Sequence, residues 1–168
     1  MSEIRETMSD KNGFFRWCLQ NPLELLVCLL LIALTFVVFL QVLLRYAFHA
    51  PLGWSEEFTM FIFQWFNLLA AAVAVRYSYH FAVDVIVRNL PSRWQAAAQL
   101  MSSLLTFAVA YIMIHMGIQM VIMSMGYNYH VLQFPLAYAY VVFPISGTLM
   151  IFFQIPLFIR QLRHLKGE

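Results

Sequence analysis

The charged and polar residues of this chain are few, and their positions limit the chemistry they can perform. Arg45, Trp54, Glu56 and Glu57 flank a corner containing Pro51 and Gly53, and Arg76, His80 and Asp84 follow at four-residue steps. Every acidic residue between Glu24 and Glu168 lies in the stretch from Gln41 to Asp84. Glu56 and Glu57 are adjacent, so on a helix their carboxylates diverge by about 100° and do not form a catalytic pair. No nucleophilic triad or glycine-rich phosphate loop accompanies them. Enzymatic chemistry is not expected.

Two readings apply to Arg45, Glu56 and Glu57. One is a helix-end ion pair with carboxylates favoured by the helix dipole. The other is an outward docking surface for a partner, with Trp54 as an aromatic anchor. The two are compatible.

The histidines raise the question of haem or metal. Haem b needs two axial ligands at matched depth on facing helices, and only His115 falls inside an apolar run. At 1.5 Å per residue it sits about 33 Å along its helix from Arg93, toward the end away from that arginine. His49 and His130 fall in turns, and no two histidines share a helix at ligand spacing. His80 reads as an interfacial hydrogen-bonding residue. Cys18 and Cys28 form no Cys-x-x-Cys motif and read as two inert thiols. Neither a cofactor nor a metal is expected.

The composition is that of a membrane protein: 62% of the 168 residues are hydrophobic and 11% charged, with a mean hydropathy of +0.75. Soluble domains carry about 25% charged residues. The net charge of +2 is small and its basic residues are dispersed, which argues against nucleic acid. Residues 1–20 read as a polar tail and an interfacial segment, with Phe14, Phe15 and Trp17 beside Arg16 at headgroup level. Nothing in them resembles a cleaved signal peptide.

Four membrane-spanning helices are predicted, in one domain covering 1–168. The first, 22–45, opens on Asn21 as N-cap, Pro22 at the first helical position and Glu24 reaching back to the cap. It contains the uncharged run Leu25–Leu44, and about 20 apolar residues suffice to cross a bilayer. The second, 55–76, is capped by Ser55 and closed by Arg76. Residues 78–90 predict a short amphipathic helix along the interface, with Asp84 and Arg88 paired at i,i+4. No Asp, Glu, Lys or Arg occurs from Trp94 to Ile159, which must hold two helices, 93–124 and 135–160. A second capping box at Ser92–Gln95 opens the third, a polar turn at Gly126–His130 separates the two, and Pro144 predicts a kink.

The basic residues set an orientation. Nine of the ten lie in the two tails or the middle loop, and only Arg45 lies in the other loops. The positive-inside rule then places both termini in the cytoplasm. No Asp, Glu, Lys or Arg lies deep in a span, whereas ion-coupled carriers place such residues near the midplane. Gln41, Gln64, Asn67, Thr106, Gln119, Ser146 and Gln154 suit hydrogen bonding between helices instead. The pattern is that of a subunit. A membrane anchor of a redox enzyme, binding haem or quinone near His115, is a second reading, and a self-sufficient small carrier is a third.

The ordered set Arg45-Tyr46-x-Phe48-x-x-Pro51-x-x-Trp54-Ser55-Glu56-Glu57, Trp65, Arg76-x-x-x-His80-x-x-x-Asp84 and Leu90-Pro91 resembles the small membrane subunit of TRAP transporters (tripartite ATP-independent periplasmic transporters, DctQ type). Pro135, Tyr138, Tyr140 and Pro144-Ile145 resemble that family's last helix. The chain departs from the family at Leu69-Ala70-Ala71-Ala72, where members often carry a glycine. The resemblance implies a bacterial inner-membrane system in which a periplasmic binding protein delivers an organic anion and a large permease subunit moves it with sodium. It gives Arg45, Trp54, Glu56 and Glu57 an outer docking role. It gives Gln41, Trp65, Arg76, His80 and Asp84 a role in packing against the permease and the membrane lipid. The substrate, whether dicarboxylate, sugar acid or sulfonate, would be recognised elsewhere in the complex.

Overall fold

A computed structural model describes residues 21–49, 52–77 and 92–165, within which the side chains of 92–97, 99, 160 and 162–165 are left aside. These residues form helices α1 (Pro22–Ala47), α2 (Ser55–Tyr77), α3 (Ser92–Ser124), α4 (Ala137–Tyr140) and α5 (Val142–Leu165), with no strand among them. Four stretches are long and apolar enough to cross a membrane: Pro22–Ala47, Ser55–Tyr77, Leu100–Ser124 and Ala137–Ile159. The all-helical, four-span architecture expected from the sequence is therefore present. The interfacial helix expected at 78–90, the tail 1–20 and the residues His80 and Asp84 lie outside the described residues.

The spans form a row rather than a closed bundle. α1 packs mainly on α2, α2 on α5, and α5 on α3. α1 meets α2 through a half-buried stripe, Val27, Leu30, Leu34, Val37, Gln41 and Leu44, whose three- and four-residue steps keep one face on its neighbour. Its remaining face is bare, with Ile32 65% and Phe36 63% exposed. Such surface belongs against hydrocarbon or another protein, not water.

α3 and α5 pack more closely, because small residues line the seam. Ser103, Ala110, Gly117 and Ser124 recur at seven-residue steps on α3 and are all buried. Small side chains let helix backbones approach, which is how helices associate where apolar burial adds little. Phe107 and Phe158 stack edge to face at 5.6 Å beside the seam, and Ser103 Oγ donates to Gln161 Oε1 at 2.8 Å. Ala72 of α2 joins Ala110 and Met150 in the core.

Local endings differ in detail from the sequence expectations. Pro22 does open α1, but Asn21 makes no side-chain cap and Glu24 turns elsewhere. Ser55 is the first residue of α2, and its hydroxyl donates to the Leu52 carbonyl at 2.7 Å, closing the corner instead of capping an amide. The last span starts at Ala137 rather than Pro135 and is interrupted at Val141. Pro144 explains the break: it has no N–H for the Tyr140 carbonyl and its ring crowds that carbonyl. The proline thus sits in the first turn of α5, and Pro156 is the proline inside that helix. The side chains of the expected Ser92–Gln95 capping box are outside the described set.

Candidate functional site

At one end of the row, a single face of α2 holds the turn that follows α3 and the short helix α4. Residues 57, 61, 64 and 65 lie on this face, by helical spacing. Glu57 Oε1 accepts from the backbone amides of His130 (3.0 Å) and Val131 (3.2 Å), and Oε2 from those of Val131 (3.0 Å) and Leu132 (3.0 Å). Three successive N–H groups converging on one anion form a nest, and charge makes each bond stronger than its neutral counterpart. The turn that presents them is closed by Leu136 N to Tyr127 O (2.9 Å) and Tyr129 N to Phe134 O (3.0 Å). Gln133 adopts a φ of 54° within it. Phe134 meets Phe61 edge to face at 5.4 Å.

Further along the same face, Gln64 Nε2 donates to the Ala139 carbonyl at 3.0 Å and Trp65 Nε1 to the Tyr138 carbonyl at 3.2 Å. Both acceptors lie in α4, just before the proline break. Side-chain donors from α2 thus hold the interrupted helix in place.

Glu57 is therefore engaged inside the chain and does not pair with Arg45. Arg45 and Glu56 are exposed, and Trp54 is 39% exposed with its ring edge to face with Phe58 at 5.9 Å. Among the described residues, three of the four docking candidates are thus exposed and the fourth holds the turn that follows α3.

Of the packing candidates, Gln41 lies on the α1–α2 stripe, Trp65 serves α4, and Arg76 serves the opposite end of the row. There Arg76 Nη1 donates to Glu24 Oε1 at 2.6 Å and Nη2 to Asn21 Oδ1 at 3.2 Å. Its guanidinium also stands 5.6 Å from the ring centres of Tyr77 and Phe153, so one side chain ties α1, α2 and α5. Sequence reasoning missed this pair. The available signal was that Glu24 opens one helix and Arg76 closes its antiparallel neighbour, which puts them at one depth.

The histidines are spread apart in role. His115 is exposed on α3 and stacks on Tyr111 at 6.2 Å, His49 ends the described part of the first corner with a φ of 51°, and His130 gives its amide to Glu57. Among the described residues no group of three or more His, Cys, Asp or Glu side chains is placed to hold a metal ion.

The grip of Glu57 on the turn has a measurable consequence. Glu57→Gln keeps the shape but removes the charge and one acceptor oxygen. Hydrogen exchange of the 130–132 amides is expected to accelerate by roughly tenfold or more. Unchanged protection there would mean the turn holds itself without the carboxylate.

Comparison with known proteins gives this geometry its setting. The chain is 33% identical over 90 residues to the sialic acid TRAP transporter permease protein SiaT of Haemophilus influenzae, a match covering 54% of the chain and 15% of that protein. It is 30% identical over 96 residues to a putative TRAP transporter small permease protein of Haemophilus influenzae, covering 57% of the chain and 60% of the relative. It is 27% identical over 152 residues to the isethionate TRAP transporter permease protein DctMQ of Oleidesulfovibrio alaskensis, covering 86% of the chain and 24% of that protein. The matches thus span 15%, 60% and 24% of these relatives' own lengths. All are transporter permease proteins rather than enzymes. The family described as tripartite ATP-independent periplasmic transporters, DctQ component, matches residues 34–164, and the chain belongs to that family.

Proposed function

We propose that this chain is the small membrane subunit of a TRAP transporter, a single four-helix domain that braces a large permease subunit in the bacterial inner membrane. Both termini are cytoplasmic, as the nine-to-one distribution of basic residues supports. The end bearing Arg45, Trp54 and Glu56 then faces the periplasm and helps receive a substrate-binding protein. Transport is sodium-coupled, and the cargo is an organic anion of the dicarboxylate, sugar-acid or sulfonate class. The relatives' names speak of sialic acid and isethionate.

The observation that supports the reading is the make-up of a larger relative. This chain corresponds to only 24% of the DctMQ permease, so its counterpart there is joined to a much larger protein. The row architecture fits such a partner, because it leaves apolar helix surface uncovered within the chain. Trp65 and Arg76, bonded within the chain, serve bracing by keeping the row rigid. His80 and Asp84 are assigned to permease and lipid contact, and Gln41, on the α1–α2 stripe, to the packing that supports it.

The test is co-purification of the tagged chain expressed with its neighbouring genes. A stoichiometric large multi-helix permease is expected. Recovery of the chain alone, or with a haem-bearing partner, would overturn the reading. In the same complex, Arg45→Glu combined with Glu56→Lys is expected to lower uptake severalfold without lowering recovery of the permease. Unchanged uptake would remove the docking role.

A further inference from the structure

α2 carries a second face that nothing within the described chain covers. Met60, Phe63, Asn67 and Ala74 are all exposed and recur at steps of three, four and seven residues. That is the spacing of a seam for one more helix. Beside it, Met60, Phe63, Gln64, Asn67 and Leu68 of α2 and Phe143 of α5 line an open groove of about 540 Å³. Asn67, one of its lining residues, lies about 18 Å along α2 from Ser55 and about 15 Å from Tyr77, near the middle of the span.

Asn67 is the informative residue. Its Nδ2 donates to the Phe63 carbonyl at 2.9 Å, and this internal bond uses one of its two N–H groups. The second N–H and the Oδ1 acceptor have no partner among the described residues. Hydrocarbon cannot supply one, and an amide left without partners in an apolar medium is costly. Polar side chains at mid-membrane are met by other helices, and an asparagine at a seam position fixes register as well as adding a bond. The two large residues on one side of Asn67 and the small Ala74 on the other give the seam a taper that a fluid acyl chain does not need.

Resting on the reading of this chain as a small permease subunit, we infer that the α2 groove seats a transmembrane helix of the large permease subunit, which supplies a hydrogen-bonding group to Asn67. The larger relatives that contain a counterpart of this chain favour that occupant over a second copy of the chain. Register on α2 is then set by one buried polar contact, with Met60 and Phe63 filling the partner's surface.

The experiment uses the intact small–large complex in membranes. A photo-crosslinking amino acid in place of Met60, Phe63 or Ala74 is expected to attach to the large subunit. The same group in place of Leu104 or Ile112, on the bare face of α3, is the comparison and is expected to attach less. Asn67→Leu is expected to weaken the association about three- to thirtyfold, the range for one interhelical hydrogen bond in a membrane. Phe63→Ala serves as the second variant. Crosslinks from α2 to lipid alone, or to another copy of this chain, would overturn the inference while a co-purifying permease left the subunit reading intact. Failure of any permease to co-purify with the unsubstituted chain would overturn both.

Discussion

Arg76→Met is expected to destabilise the protein by about 3 kcal/mol, the lower end of what removing one partner of a buried ion pair costs. The lower end applies because the Arg76 side chain is 37% exposed, so water already shares its charge, whereas that of Glu24 is 7% exposed. The substitution strands the Glu24 carboxylate at the junction of α1 and α2 and removes the Arg76 bond to Asn21 Oδ1 as well. Two cation–ring contacts, to Tyr77 and Phe153, disappear with it, each worth about 0.5–1 kcal/mol at partly exposed positions. Since α1 packs mainly on α2, loosening this contact should release the start of α1 first. Thermal unfolding in detergent, followed by hydrogen exchange across residues 22–30, would show both the loss and its location. The double variant Arg76→Met with Glu24→Leu is the decisive comparison, because replacing both charges by apolar groups is often near neutral. A double variant as unstable as the single one would assign the loss to packing rather than to the stranded charge.

The spans were legible because charge is excluded from hydrocarbon. The uncharged runs Leu25–Leu44 and Phe58–Val75 correspond to α1 and α2 with one turn or less added at either end. The long run from Trp94 to Ile159 divides where its polar turn indicates, near Gly126–His130. Pro144 announced an irregularity, but the break falls at Val141, upstream, because the proline acts on the carbonyl four residues before it.

Destinations of individual polar groups were less legible. A carboxylate in the first turn of α2 satisfies the dipole argument whichever way it points, and the partner of Glu57 lies 73 to 75 residues later in the chain. The Arg76–Glu24 pair spans 52 residues. The local capping motif at Asn21 offered Glu24 a nearer partner, yet a guanidinium outcompetes a backbone amide because it brings charge and a planar donor pair. The α3 stripe of Ser103, Ala110, Gly117 and Ser124 was in plain sight as a seven-residue period. It was masked because the whole run is apolar, so small against large, not polar against apolar, marks the packed face.

That stripe sets up the other large effect, at Gly147 on the facing helix. Helix propensity alone says that Gly→Ala inside a helix stabilises by about 1 kcal/mol. Packing says the opposite here. A Cβ on Gly147 would lie 2.8 Å from Ile114 Cγ1 and 2.9 Å from the Ala110 carbonyl oxygen. The isoleucine can rotate away, but the carbonyl belongs to the α3 backbone and yields only if the helices separate. Separation is opposed elsewhere on the seam, since Gly117 has the same close fit, its Cβ position lying 2.7 Å from both Phe143 Cβ and Pro144 Cδ. Gly147→Ala is therefore expected to destabilise, and Gly147→Leu to cost about 3 kcal/mol or more, at the upper end for an overpacked core. Ile114→Ala should relieve part of the Gly147→Ala defect and leave the carbonyl contact in force. Gly126→Ala, where no atom lies within 4 Å, is the control and is expected to be near neutral. The measurement is the unfolding midpoint of each purified variant, together with recovery of a co-expressed permease. A Gly147→Ala protein more stable than its parent would mean that propensity wins and that α3 and α5 lie farther apart than the glycine seam requires. A loss only partly rescued by Ile114→Ala would place the limit at the backbone, where small residues alone allow the two helices to meet.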